Sequence, residues 1–125
     1  MKNFQCLVGI LALAALAVAC EPEPGPGGKA EIRGVAAHHA TVIPATRVFI
    51  KYDANESPGT LSSLYDDSTV AGSDGRFDFS ELQRGVYYLY GIGWDSTIDQ
   101  EVRAGMPVVL TEKNEIEDVI LPVTE

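Results

Sequence analysis

Ser73-Asp74-Gly75-Arg76-Phe77-Asp78-Phe79, then Leu82, then Gly85-Val86-Tyr87-Tyr88-Leu89-Tyr90-Gly91-Ile92: this stretch of the 125-residue chain decides the fold. Asp-Gly suits a tight turn that needs positive φ, so Ser73–Gly75 predicts a hairpin. Arg76 to Ser80 alternates after it, with Phe77 and Phe79 on one side, as a half-buried strand requires. Gly85 then opens the most apolar segment. Both of its faces carry bulk, which predicts a central strand with Tyr87 and Leu89 turned inward together.

The neighbouring segments read the same way. Upstream lie Ala30 to Ala37 and Thr46 to Asp53, the second with Val48, Ile50 and Tyr52 opposite Phe49 and Lys51. A polar loop at Asn55–Thr60 and a short strand at Ser68–Ala71 follow. Downstream, Ile98–Arg103, Pro107–Thr111 and Ile116–Val123 are further β-rich runs, and Pro107 and Pro122 mark edges or strand ends. No helix-period segment or repeat interrupts them. About seven short strands with turn residues between them predict an all-β fold, a single antiparallel β-sandwich over residues 29–125.

The Asp74-Gly75 turn, the Phe77/Phe79 strand, Leu82 and the Gly85-x-Tyr87-x-Leu89 pattern together resemble the carboxypeptidase regulatory-like domain, a transthyretin-like (prealbumin-like) sandwich. Ala45–Ile50 fits the second strand of that family. The resemblance covers roughly residues 30–123 and implies a non-catalytic module. A transthyretin-like enzyme branch that hydrolyses 5-hydroxyisourate ends in Tyr-Arg-Gly-Ser. This chain ends Pro122-Val123-Thr124-Glu125 and lacks that motif.

The first twenty residues carry a different message. Met1-Lys2-Asn3 precedes an apolar run from Leu7 to Ala19, and Cys20 follows. A positive start, a short apolar segment and small residues before a cut site describe a secretory signal over residues 1–19. The run is shorter than the roughly 20 residues that span a bilayer. Ala17-Val18-Ala19-Cys20 resembles the bacterial lipobox, which implies diacylglycerol and acyl (palmitate-type) modification of Cys20 and a membrane anchor in the cell envelope, at the outer membrane. The alternative is ordinary cleavage nearby, with Cys20 left as a thiol. Cys6 lies within the signal, so the mature chain has one cysteine and no intramolecular disulfide, and acylation accounts for that odd residue. Glu21-Pro22-Glu23-Pro24-Gly25-Pro26-Gly27-Gly28 reads as a tether unable to join a sheet, since Pro lacks a donor and Gly is costly to order. Its acids resemble the surface-export signal of Bacteroidetes lipoproteins.

Loss of Lys2 with the signal takes the formal net charge from −9 to −10. Such a chain excludes nucleic acid as a partner, because phosphates need Lys and Arg. It also argues against a polybasic membrane-binding surface. The partners expected are the membrane, through the N-terminal lipid, and a protein of the envelope.

No nucleophile elbow, zinc motif or phosphate loop occurs, and no cofactor or metal is expected. His38 and His39 are adjacent, so on a strand they point to opposite faces. Asp66-Asp67 and Asp74–Asp78 read as solvated turn acids. Tyr88, Tyr90 and Trp94 share a strand face with Val86 and Ile92. Left open, that face would bind a partner or sugars; otherwise loops or the second sheet cover it. Asp67-Ser68-Thr69 and Asp95-Ser96-Thr97 resemble the Bacteroidetes O-glycosylation sequence, which implies Ser68 and Ser96 as acceptors.

Overall fold

A computed structural model describes residues 22–125. The signal at 1–19 and the lipidation site Cys20 lie outside them. Eight strands form in chain order: β1 (Pro26–His38), β2 (Thr41–Val42), β3 (Arg47–Tyr52), β4 (Asp67–Val70), β5 (Arg76–Leu82), β6 (Gly85–Asp95), β7 (Gln100–Leu110) and β8 (Ile116–Pro122). A short 3-10 turn at Ser62–Leu64 is the helical element among the described residues.

Two four-stranded sheets result. In one, β1 pairs antiparallel with β5 and, at its end, with β2, while β8 runs parallel along its other edge from Glu31↔Ile116 to Ala37↔Pro122. The other has the order β4-β3-β6-β7, antiparallel throughout. Their inner faces close on each other. Val48, Ile50, Tyr87, Leu89, Val102, Val108 and Leu110 meet Ala30, Ile32, Phe77, Phe79, Leu82, Leu121 and Val123. The all-β sandwich is therefore present, with one parallel pair that an antiparallel reading leaves out.

Alternation decides which side chains enter. Tyr87 and Leu89 are fully buried, as expected of the central strand β6. In β5, Phe77 and Phe79 keep period two, yet Leu82 is buried too, three positions on. Glu81 adopts φ 56 there and the β1–β5 register shifts, so a bulge resets the face. Glycines make room for the core. A Cβ on Gly34 would stand 2.4 Å from the ring of Phe77, its cross-strand partner in the same sheet, and one on Gly91 2.4 Å from Leu121 Cδ2 of the facing sheet.

Three expectations need correction. The Asp74-Gly75 turn forms, with Gly75 at φ 77 and Asp74 Oδ1 accepting from Arg76 N–H at 3.0 Å. It is not a hairpin, because β4 and β5 belong to different sheets and the turn carries the chain across the sandwich. The two predicted runs at 98–103 and 107–111 are one strand, β7. Pro107 sits within it without harm because β7 is an edge. The Pro/Gly tether is docked from Gly25 onward. Gly25 N–H donates to Tyr87 Oη at 2.8 Å, Gln83 N–H donates to Gly25 O at 2.8 Å, and Pro26 pairs with Leu82. Buried carbonyl and hydroxyl partners outweigh the poor strand propensity of Pro and Gly here.

This docking gives the sandwich two distinct ends. At the base, Gly85 opens β6 against Pro24, and Lys113-Asn114 lies close by. At the tip, β6 ends in Asp95 against His38 of β1.

Candidate functional site

The outer face of the β4-β3-β6-β7 sheet is built by register. Arg47 lies opposite Ile92 and Ile92 opposite Arg103; Phe49 opposite Tyr90 and Tyr90 opposite Gly105; Lys51 opposite Tyr88 and Tyr88 opposite Pro107; Trp94 opposite Glu101. Period two thus places Tyr88, Tyr90 and Trp94 on one face, as expected. Their surroundings differ. Tyr90 is buried, Tyr88 is half-buried with its ring across Gly105, and Trp94 is 53% exposed at the tip. Of the two alternatives, cover holds at Tyr90 and exposure at Trp94.

A loop the sequence does not connect with this face supplies the cover. Residues 53–66 fold over it, and Tyr65 stacks on Tyr90 with ring centroids 5.8 Å apart and an interplanar angle of 17°. Phe49 completes the cluster, 5.6 Å from Tyr65 and 6.2 Å from Tyr90. The Tyr65 hydroxyl donates to Gly59 O at 2.8 Å, which fixes the loop. Burial pushes the Tyr65 phenol above its ordinary pKa.

Beside this stack is a depression of about 450 Å³ lined by Arg47, Phe49, Ser62, Tyr65, Asp66, Asp67 and Ser68. Asp66 Oδ2 accepts from Tyr52 N–H at 2.7 Å and lies 3.5 Å from Lys51 Nζ. Asp67 Oδ1 accepts from Ser68 N–H at 2.8 Å. These acids organise backbone and remain at the surface. Arg103 pairs with Glu101 on the same face, and this pairing and the nearby Tyr90 hydroxyl hold its guanidinium charged. The arrangement offers aromatic edges flanked by fixed charges, a surface for recognition.

A second cluster lies at the tip. His38 is buried. Its Nδ1 is 2.8 Å from Asp95 Oδ2, and Glu125 Oε1 lies 2.7 Å from Nε2, off the line of a hydrogen bond. Asp95 Oδ1 accepts from Thr97 N–H at 2.9 Å and from Thr97 Oγ1–H at 2.6 Å. The Thr97 hydroxyl and then His38 lower the Asp95 pKa to about 2. An ionised carboxylate only accepts, so His38 Nδ1 carries the proton. The bond to Asp95 in turn raises the His38 pKa. Both ring nitrogens face carboxylates, so the cluster ties β1, β6 and the last described residue together. His39 is exposed at φ 57, and its ring lies 4.4 Å from that of His38, so the two do not take opposite faces. The left-handed backbone breaks the alternation. Among the described residues no three His, Cys, Asp or Glu are placed to share a metal.

The two serines differ in setting. Ser68 and its Asp67 are both exposed on the edge strand β4. Ser96 is exposed, but Asp95 beside it is buried and engaged by His38 and Thr97.

No family model matches the sequence, and no curated protein matches it. Solved structures do. The major pilin subunit of Bacillus cereus aligns with a TM-score of 0.54 at 12% identity over 78% of this chain, which spans 30% of that subunit. A candidate carbohydrate binding protein of Pseudomonas aeruginosa aligns with a TM-score of 0.52 at 15% identity, over 84% of this chain and 93% of that one. At such identities the likeness is one of fold alone.

Proposed function

We propose that this chain is a lipid-anchored, non-catalytic module of the cell envelope that offers the outer face of its β4-β3-β6-β7 sheet to a protein partner. The carrying observation is that face. Trp94 stands 53% exposed on the same face as the Tyr65–Tyr90–Phe49 stack, four residues further along β6, where burial would be the cheaper fate of an indole. Aromatic anchors flanked by Arg are typical of binding centres. The non-catalytic reading draws support from the histidine that is both buried and titratable. His38 has a carboxylate at each ring nitrogen and so serves packing. Lipid attachment at Cys20 and placement at the outer membrane rest on the sequence. The carboxypeptidase regulatory-like assignment rests on the Asp74-Gly75 turn and the Gly85-x-Tyr87-x-Leu89 strand.

The test is capture from detergent-solubilised envelope with wild-type, Trp94→Ala and Ile120→Ala forms, since Ile120 is exposed on the opposite sheet. A partner retained by Ile120→Ala and lost by Trp94→Ala supports the proposal. Equal recovery by all three counts against it.

A carbohydrate ligand is the second reading. The depression beside Tyr65 combines ring faces with Arg47, Asp66 and Asp67, the mixture of stacking and polar groups that sugars use. Glycan-array binding lost on Trp94→Ala or Tyr65→Ala would establish it, and an array without binding would exclude it.

A further inference from the structure

The His38 cluster bears on the free edge of the aromatic sheet. β7 is an edge strand, and its Arg103 lies opposite Ile92 of β6. Arg103 N–H donates to Thr124 O at 2.9 Å, and Thr124 N–H donates to Arg103 O at 3.0 Å. Both backbone groups of Arg103 therefore face away from β6, as they do at every second residue of an antiparallel edge. Pro107 falls on the same parity, where a missing donor costs the sheet nothing. Residues 124–125 thus form a clip that crosses from the end of β8 onto β7 and closes that edge at Arg103.

The clip has few fixings. Leu121 and Val123 are buried, but Thr124 and Glu125 are exposed. Besides the two backbone bonds, the clip is held by Glu125 Oε1, 2.7 Å from His38 Nε2. Thr97 occupies Asp95 Oδ1, and Asp95 Oδ2 keeps a proton on His38 Nδ1. A neutral ring with that proton presents a lone pair at Nε2. A carboxylate oxygen 2.7 Å from such a nitrogen is repelled, whereas an imidazolium attracts it. The oxygen lies off the N–H line, so the attraction is chiefly one of charge. Among the described residues, the ionisable groups facing the ring are Asp95 from β6, Glu125 from the clip and His39 from the turn after β1, its ring 4.4 Å away. β2, paired through Thr41, brings no charge, and Arg103 of β7 turns its guanidinium to Glu101.

We propose that His38 is a proton-operated latch on this clip. With the ring charged, Glu125 is held and residues 124–125 cover the β7 edge at Arg103. With the ring neutral, Glu125 is released, and the N–H and C=O of Arg103 stand open to pairing with another strand. Val123 stays in the core, so the motion is confined to the last two described residues. The bond to Asp95 raises the His38 pKa from 6.5, so release comes on the alkaline side of the ordinary histidine value. The edge adjoins the exposed Trp94, which lies opposite Glu101, yet the latch does not depend on that face meeting a partner.

Amide exchange followed by NMR tests it, each rate being divided by the intrinsic rate at the same pH. Protection at Arg103 and Thr124 should fall about two- to five-fold between pH about 5.5 and about 8.5, in step with the His38 ring signal, as suits a half-exposed ion pair. Gln83 N–H, bonded to Gly25 O at the base, should fall less. Glu125→Ala removes an exposed side chain and should leave both amides weakly protected at every pH. His39→Asn, which suits the positive φ there, should keep the wild-type response. Protection independent of pH, an equal fall at Gln83, a fall that persists in Glu125→Ala, or one that vanishes in His39→Asn overturns the proposal.

Discussion

Tyr87→Phe probes the feature that turned an expected tether into structure. Tyr87 is fully buried, and its hydroxyl accepts from Gly25 N–H at 2.8 Å and donates to Gln83 O at 2.6 Å. Phenylalanine keeps the ring, so no cavity of consequence forms and packing against Tyr52 persists at 5.9 Å between centroids. Two hydrogen bonds are lost at about 0.5–1.5 kcal/mol each. Gly25 is itself buried, so its orphaned N–H adds desolvation cost unless the segment lifts away. The expected loss is about 2 kcal/mol, capped near 3 because undocking of residues 25–28 relieves the strain. Urea unfolding should show a lower midpoint with an unchanged slope. Hydrogen exchange should quicken at Gly25 and Gln83 ahead of the core. A change below about 0.5 kcal/mol with exchange at Gly25 unaltered would refute the docking argument.

Phe77→Ala, which empties the space over Gly34, should cost about 3–5 kcal/mol by the same denaturation assay. Gly91→Ala drives a methyl against buried Leu121 and should cost about 1–3 kcal/mol; a neutral result would show that the two sheets approach less closely at this point. The His38–Asp95 pair makes stability depend on pH in two windows. His38 is raised from 6.5, so its contribution is complete below that value and fades as pH rises through the higher folded value. Asp95 is lowered from 3.8 to about 2, so its contribution is complete above 3.8 and fades as pH falls toward 2. Urea midpoints across pH should therefore fall on both sides; His38→Ala should remove the fall above pH 6.5 and keep much of the acid one, which rests first on Thr97, and a wild-type profile flat above pH 6.5 would contradict the pairing.

Strands were legible because alternation and apolar bulk are local. Tyr87 and Leu89 turned inward, and β6 became central, for reasons visible in seven residues. Connections were not. Asp74-Gly75 specifies a backbone angle and says nothing about which strands then pair, so a crossover looked like a hairpin. The parallel β1–β8 pair joins segments some 85 residues apart, as Glu31↔Ile116 shows, and no turn signal announces it. The aromatic face was half legible. Period two grouped Tyr88, Tyr90 and Trp94, while the cover from Tyr65 depended on how residues 53–66 fold back. The His38–Asp95 contact spans 57 positions. Its one local trace is the Asp95–Thr97 turn, which the sequence also presents as a glycosylation triplet.

The account turns on which face of the sandwich meets a partner. Hydroxyl-radical footprinting of the protein in its native envelope, compared with the purified protein, reads this residue by residue. Trp94 and Tyr65 should be protected in the envelope, while Ile116 and Ile120 on the other sheet should oxidise equally in both states. Equal oxidation of Trp94 in both, or protection confined to Ile116 and Ile120, would contradict it.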